Sequence, residues 1–65
     1  MPSDEQFTEA CMKVELKVAQ VDMAGSMSQA QEYASNRCRQ SLFTCRKDAA
    51  TSACARDLKK YGLTN

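Results

Sequence analysis

The sequence contains no histidine and no tryptophan. Histidine is the most common general base in enzymes and the usual partner of a serine or cysteine nucleophile, so its absence argues against those kinds of catalysis. The carboxylates are scattered over positions that we expect to face solvent, and a helical domain of 65 residues has little room for a pocket that excludes water. The sequence therefore predicts a protein that is not an enzyme and that carries no cofactor.

Motifs that bind metals, nucleotides or RNA are also missing. Structural zinc sites usually take their cysteines in C-x₂₋₄-C pairs, whereas the four cysteines here are separated by 26, 6 and 8 residues. The sequence has neither the C-x-x-C of redox enzymes nor a glycine-rich phosphate loop. No metal site is predicted.

Long apolar runs and a strong net charge are lacking as well. No apolar run is long enough to cross a membrane, and a net charge of +1 gives no general attraction to nucleic acid. The charge is nevertheless uneven, with −3 in residues 1–25 and +4 in residues 26–65. An acidic first helix lying against basic later helices accounts for this. The alternative is a basic face that awaits an acidic partner, formed by Arg37, Arg39, Arg46, Lys47 and Arg56.

A thin core and an even number of cysteines characterise what is present. The chain has two Phe and two Tyr, many of its apolar residues are Ala, and its length is below that at which one apolar core usually suffices. Four cysteines in so short a chain are typical of an oxidised, extracytoplasmic protein. Residues 1–11 show neither the basic nor the apolar part of a signal peptide. We favour a mature, oxidised segment over a cytosolic protein with reduced thiols.

The positions of the cysteines relative to two turns predict their pairing. Cys11 and Cys38 are equally far from the Ala24-Gly25 turn, and the other two cysteines are equally far from residues 49–50. Residues that are equally far from the turn of an antiparallel helical hairpin lie opposite each other. This symmetry favours two disulfides, Cys11–Cys38 and Cys45–Cys54, over the pairs Cys11–Cys45 and Cys38–Cys54.

Capping signals predict where the helices begin and end. Ser3 and Gln6 form a capping-box pattern before the first helix, while Gly25 and Gly62 suit helix C-caps. The predicted fold is a single all-α domain over residues 1–65, a small three-helix antiparallel bundle of helical hairpins stapled by two disulfides. Its helices are expected at about 4–23, 27–47 and 49–61. Because neither Gly nor Pro separates the last two helices, one long bent helix is an alternative.

Two apolar stripes run along the first helix. The main stripe is predicted to enter the core and consists of Phe7, Cys11, Val14, Val18 and Val21. The second stripe lies on the opposite side between charged residues that include Glu15, and it consists of Met12, Leu16, Ala19 and Met23. Because one neighbour cannot cover both stripes, either the third helix covers the second stripe or the second stripe is a methionine-rich contact surface.

The second helix has a predicted inner face and two aromatic residues on its back. The inner face consists of Met27, Ala30, Ala34, Cys38, Leu42, Cys45 and Ala49. Tyr33 and Phe43 fall on the opposite side, where they are either isolated surface aromatics or anchors of an interface. The predicted partner-binding residues are therefore Met12, Leu16, Met23, Tyr33 and Phe43.

These features favour a function in protein–protein interaction, as a small secreted or periplasmic binding protein, effector or inhibitor. The partner is either another protein or a second copy, and a structural subunit of a larger assembly is a third possibility. An alternative follows from residues 12–18, where apolar and charged residues alternate as in a strand. Two such strands paired across a dimer axis would look like a ribbon-helix-helix DNA-binding protein. Lys13, Glu15 and Lys17 would then face the major groove of a cytosolic regulator with reduced cysteines.

Overall fold

The computed structural model describes residues 2–22 and 26–64, and these residues form three helices. Helix α1 spans Asp4–Asp22, α2 spans Met27–Lys47 and α3 spans Ser52–Lys60. Helix α2 is the central helix of the three, because α1 and α3 each pack against α2. The described residues contain no strand. The predicted all-α fold and both predicted disulfides are confirmed.

Helix α1 begins with the predicted capping box and continues without interruption. The Ser3 hydroxyl accepts a hydrogen bond from the Gln6 backbone N–H (3.1 Å), and the side-chain Oε1 of Gln6 accepts one from the Ser3 backbone N–H (3.0 Å). The predicted turn at residues 24–25 lies outside the described residues. Because residues 12–18 are helical, the alternative strand is wrong, and the ribbon-helix-helix arrangement loses the ribbon on which it depended. As a helix the segment buries its inner side against α2, whereas a strand would have no partner within the chain.

A short segment separates α2 from α3, so the alternative of one long bent helix is also wrong. Asp48 is extended, and its carboxylate accepts a hydrogen bond from the Ala50 N–H (2.9 Å). The hydroxyl of Thr51 then caps α3 by accepting from the Cys54 N–H (3.1 Å). Because these two side-chain hydrogen bonds hold the connecting segment in a non-helical conformation, α3 begins at Ser52 instead of at the predicted residue 49.

The chain beyond α3 turns back onto the core. Helix α3 ends at Lys60, and Gly62 adopts the left-handed conformation (φ 71°) that its lack of a Cβ permits. The Leu63 N–H then donates to the Leu58 carbonyl (2.8 Å), and Leu63 packs against the core. Tyr61 lies between Leu58 and Leu63 in the sequence. Its buried ring contacts the Phe7 ring edge to face, with the two ring centroids 5.8 Å apart.

The buried side chains differ in size between the two ends of the α1–α2 hairpin. At the end near α3 it contains the two aromatic rings and the four cysteines, all buried. Toward the residue 23–25 connection its buried residues are small, namely Ala19, Ala30 and Ala34. Small side chains let two helices approach closely, so that only a narrow strip of each is covered.

This narrow strip corrects the predicted core stripe of α1. The buried residues Phe7, Cys11, Glu15 and Ala19 follow each other at intervals of four. Val18 and Val21, both predicted to be buried, are instead 42% and 81% exposed. Val14 is half-buried. Residues at intervals of four shift gradually around the helix relative to the predicted 4-3-4-3 pattern. The buried stripe therefore excludes Val18 and Val21 and includes Glu15.

The inner face of α2 needs a similar correction. Its alanines and cysteines are buried as predicted, whereas Met27 and Ala49 are exposed and Leu42 is only half-buried. Ser41 takes the place of Leu42 in the buried strip, where its hydroxyl donates to the Asp57 carboxylate (2.5 Å). The α3 helix approaches α2 on the Ser41 side, and that approach decides which of the two neighbouring residues is covered.

Candidate functional site

The two disulfides hold α2 to both of its neighbours. Cys11–Cys38 joins α1 to α2 and Cys45–Cys54 joins α2 to α3, with Cα–Cα distances of 5.8 and 5.0 Å. All four cysteines are buried, and none is left as a thiol. Paired cysteines of this kind are typical of an oxidising, extracytoplasmic setting. They also provide a frame in which the outer side of α2 has a fixed position.

The predicted partner-binding residues fall into two groups. Tyr33 and Phe43 are exposed, at 44% and 68%, on the side of α2 away from its cysteines. Met12 and Leu16 are half-buried, so the second stripe of α1 is not the freely exposed methionine surface that one interpretation predicted. Met23 lies outside the described residues.

Helix α2, rather than α3, lies beside Met12, which corrects the other interpretation of the second stripe. Met12 packs against the core and lines a shallow groove of about 170 Å³ together with Cys38 and Leu42 of α2. Because Ala19 from the same stripe is also buried, α1 presents little of this stripe to a partner.

The exposed aromatics lie at the two ends of a continuous open surface on α2. Tyr33 lines a shallow depression of about 420 Å³, and Phe43 lines a second one of about 690 Å³. Asn36 lines both depressions, so the two are adjacent, and Gln40 lies between Asn36 and Phe43. We call Tyr33, Asn36, Gln40 and Phe43 the outer face of α2. Intervals of three and four place these residues on one side of the helix.

One carboxylate that the sequence interpretation placed at the surface, that of Glu15, is buried where α1 meets α2 and the end of α3. Glu15 is only 2% exposed. Its Oε2 accepts hydrogen bonds from the Tyr61 hydroxyl (2.6 Å) and the Lys60 ammonium (3.1 Å), and Arg37 Nε lies 3.8 Å away. Glu15 therefore links α1 to α2 and to the end of α3. The interval of four from Cys11 and to Ala19 is the signal that could have placed it in the buried strip.

Charge pairs join the acidic α1 to the basic later helices, as the first explanation of the uneven charge expected. Arg37 lies beside Glu15, and Arg46 forms an ion pair with Asp4 in which its Nε donates to Asp4 Oδ1 (3.0 Å). Two members of the predicted basic face thus have partners within the chain. The Arg39 guanidinium donates to the side-chain Oδ1 of Asn36 (3.0 Å) on the outer face of α2.

The environment of Glu15 shifts two pKa values in opposite directions. Burial alone would raise the pKa of Glu15, but the hydrogen bonds from Tyr61 and Lys60 and the charges of Lys60 and Arg37 lower it below its usual value of 4.5. Burial raises the pKa of Tyr61 well above 10.0, and its hydrogen bond to the Glu15 carboxylate raises it further. The site therefore keeps Glu15 ionised and Tyr61 protonated, which suits a structural hydrogen bond.

These shifts predict how stability depends on pH. The lowered pKa of Glu15 contributes stability that is present above about pH 4.5 and is lost as the pH falls through the folded-state value. The raised pKa of Tyr61 contributes stability that is present below about pH 10 and is lost as the pH rises. In urea unfolding across pH, we expect the stability difference between the parent and Glu15→Gln to shrink on acidification. A constant difference from pH 7 to pH 3 would contradict this assignment.

The chain shows no detectable similarity to known proteins. The chain matches no protein-family model, no curated protein and no solved structure. Within residues 2–22 and 26–64, no helix combines the length and the apolar character needed to cross a membrane.

Proposed function

We propose that this protein acts by binding another protein through the outer face of α2, in an oxidising compartment outside the cytoplasm and without catalysing a reaction. The observation that carries the proposal is the exposure of Phe43 together with Tyr33 on a helix side that neither α1 nor α3 covers. The absence of histidine from the sequence supports the non-catalytic part.

The composition of the outer face suits a protein contact. Aromatic side chains are enriched among the residues that contribute most to binding energy, and each has few rotatable bonds to immobilise. The side-chain amides of Asn36 and Gln40, which lie between the two rings, offer donors and acceptors that fix the register of a partner. Because two disulfides hold α2 in place, the free energy needed to order this surface on binding is small.

Photo-crosslinking tests the proposal directly. We expect a photo-reactive phenylalanine analogue at position 43 to capture a specific protein from the extracellular fraction of the source cells. Affinity for that protein should fall about tenfold or more in Phe43→Ser, since an aromatic anchor contributes on the order of 2 kcal/mol. Position 21 provides the matched control, because Val21 is apolar and even more exposed than Phe43 but lies on α1.

Two results would contradict the proposal. One is equal capture from positions 21 and 43, which would indicate non-specific apolar contact. The other is unchanged affinity of Phe43→Ser for the captured protein when circular dichroism shows that the variant is folded. Sedimentation of the pure protein identifies the special case of a second copy, which would give a dimer that Phe43→Ser dissociates and Val21→Ser does not.

A further inference from the structure

We infer that the groove between α2 and α3 binds a phosphate or sulfate oxyanion, a ligand separate from the protein partner proposed above. The groove has a volume of about 270 Å³, and seven of its eight lining residues have polar or charged side chains. Three of its lining residues are cations, Arg37 from α2 and Arg56 and Lys60 from α3. Arg56 and Lys60 are four residues apart on α3, so they project from the same side of that helix.

Glu15 positions two of these cations from beneath the groove. Its Oε2 accepts a hydrogen bond from Lys60 Nζ (3.1 Å) and lies 3.8 Å from Arg37 Nε. The side chains of Lys60 and Arg37 nevertheless remain 42% and 44% exposed. An ammonium has three N–H donors and a guanidinium has five, so each cation keeps donors that Glu15 does not use. The buried carboxylate holds their inner sides, and their outer sides line the groove.

The third cation and the balance of charge favour an anion. Within residues 2–22 and 26–64, Arg56 has no carboxylate within ion-pair distance. Asp57 also lines the groove, but one of its carboxylate oxygens accepts the short hydrogen bond from the Ser41 hydroxyl. Glu15 and Asp57 together offset two of the three positive charges, so the cluster keeps one positive charge. Arginine and lysine donors that converge from two helices suit an oxyanion with several acceptor oxygens.

The groove adjoins the outer face of α2. Two kinds of ligand can therefore supply the oxyanion, a free ion or a phosphate ester whose organic group extends toward that face. Gln40 and Thr44 line both the groove and the depression beside Phe43. A phosphate ester that carries an aromatic ring would place its phosphate among the cations and its ring toward Phe43. A free ion would use the cations alone.

Nuclear magnetic resonance titration with inorganic phosphate tests the site. At constant ionic strength set by sodium chloride, we expect saturable shifts at the amides of Arg37, Arg56 and Lys60 and none at Lys13 on α1. Phenyl phosphate should bind about threefold more tightly than inorganic phosphate if esters are preferred, by the usual contribution of an aromatic contact. Equal affinities would support the site and assign it to the free ion.

Two variants that each remove one positive charge from α3 test whether phosphate binds in the groove or is attracted by positive charge in general. Arg56→Gln should weaken phosphate binding by about three- to fivefold, as expected for one partly exposed charged contact. Lys59→Gln removes the same charge from the same helix, but Lys59 does not line the groove. The affinity of this variant for phosphate should therefore equal that of the parent. Equal losses in both variants, or shifts that chloride reproduces at the same ionic strength, would overturn the inference.

Discussion

Replacing Cys11 and Cys38 together with alanine is expected to lower the free energy of unfolding by about 3.6 kcal/mol, the loop-entropy value for the 27-residue separation. A small domain has a total stability of about 5 kcal/mol, so the variant should be close to unfolded at room temperature. Alanine is the appropriate replacement because it buries no new polar group beside Phe7. Urea unfolding followed by circular dichroism measures the loss.

The second disulfide provides the matched control. Cys45 and Cys54 are only 9 positions apart in the sequence, so their replacement with alanine should cost about 2.6 kcal/mol. All four cysteines are buried to a similar extent, which makes the lost packing comparable in the two double variants. If the Cys45/Cys54 variant were the less stable of the two, constraint of the unfolded chain would not be the main contribution of the long-range disulfide.

Replacing Glu15 with alanine is expected to destabilise the protein by about 2 kcal/mol, even though it removes a charge from the interior. The buried Tyr61 hydroxyl would lose its acceptor, and an orphaned polar group typically costs about 1–3 kcal/mol. Lys60 and Arg37 would lose their shared partner, but water can solvate them because both are partly exposed. Urea unfolding at pH 7 measures the change.

Conservative replacements separate the carboxylate from its hydrogen bond. Glu15→Gln keeps an acceptor for the Tyr61 hydroxyl and should cost less than alanine, about 1 kcal/mol. Tyr61→Phe removes the hydroxyl but keeps the ring against Phe7, so a double-mutant cycle with Glu15→Gln isolates their coupling. A change below about 0.5 kcal/mol in Glu15→Ala would show that the buried cluster contributes nothing beyond surface charge.

Local signals made the helical hairpins predictable. The Ser3–Gln6 capping box and the symmetric placement of each cysteine pair about its turn require only neighbouring residues and helix geometry. Neither signal therefore depends on how the helices pack against each other. The start of α3 was predicted three residues too early, because the hydrogen bonds that Asp48 and Thr51 accept from the following backbone set the boundary at Ser52.

The details of packing could not be predicted in the same way. A helical wheel assigns Val18 and Val21 to the core by hydrophobicity alone, but the hairpin buries the side on which small residues allow close approach. Glu15 enters that side because Tyr61, 46 residues later in the chain, returns to meet it. Nothing near Glu15 in the sequence indicates this partner.

The candidate contact surface was predicted only in part. Tyr33 and Phe43 were placed on the back of α2 by helical spacing, and they are exposed there. Met12 and Leu16 were expected to form the first contact surface, but the close approach of α2 half-buries them. A surface residue of a single helix is thus easier to predict than one at the margin of an interface between two helices.

The edge-to-face contact between Phe7 and Tyr61 also closes the chain on itself. Helix α3 packs on α2, whereas Tyr61 and Leu63, which follow α3, reach back to α1. Removing the chain from Tyr61 onward would therefore leave the ion pair between Lys60 and Glu15 as the remaining direct link from α3 to α1 among residues 2–22 and 26–64.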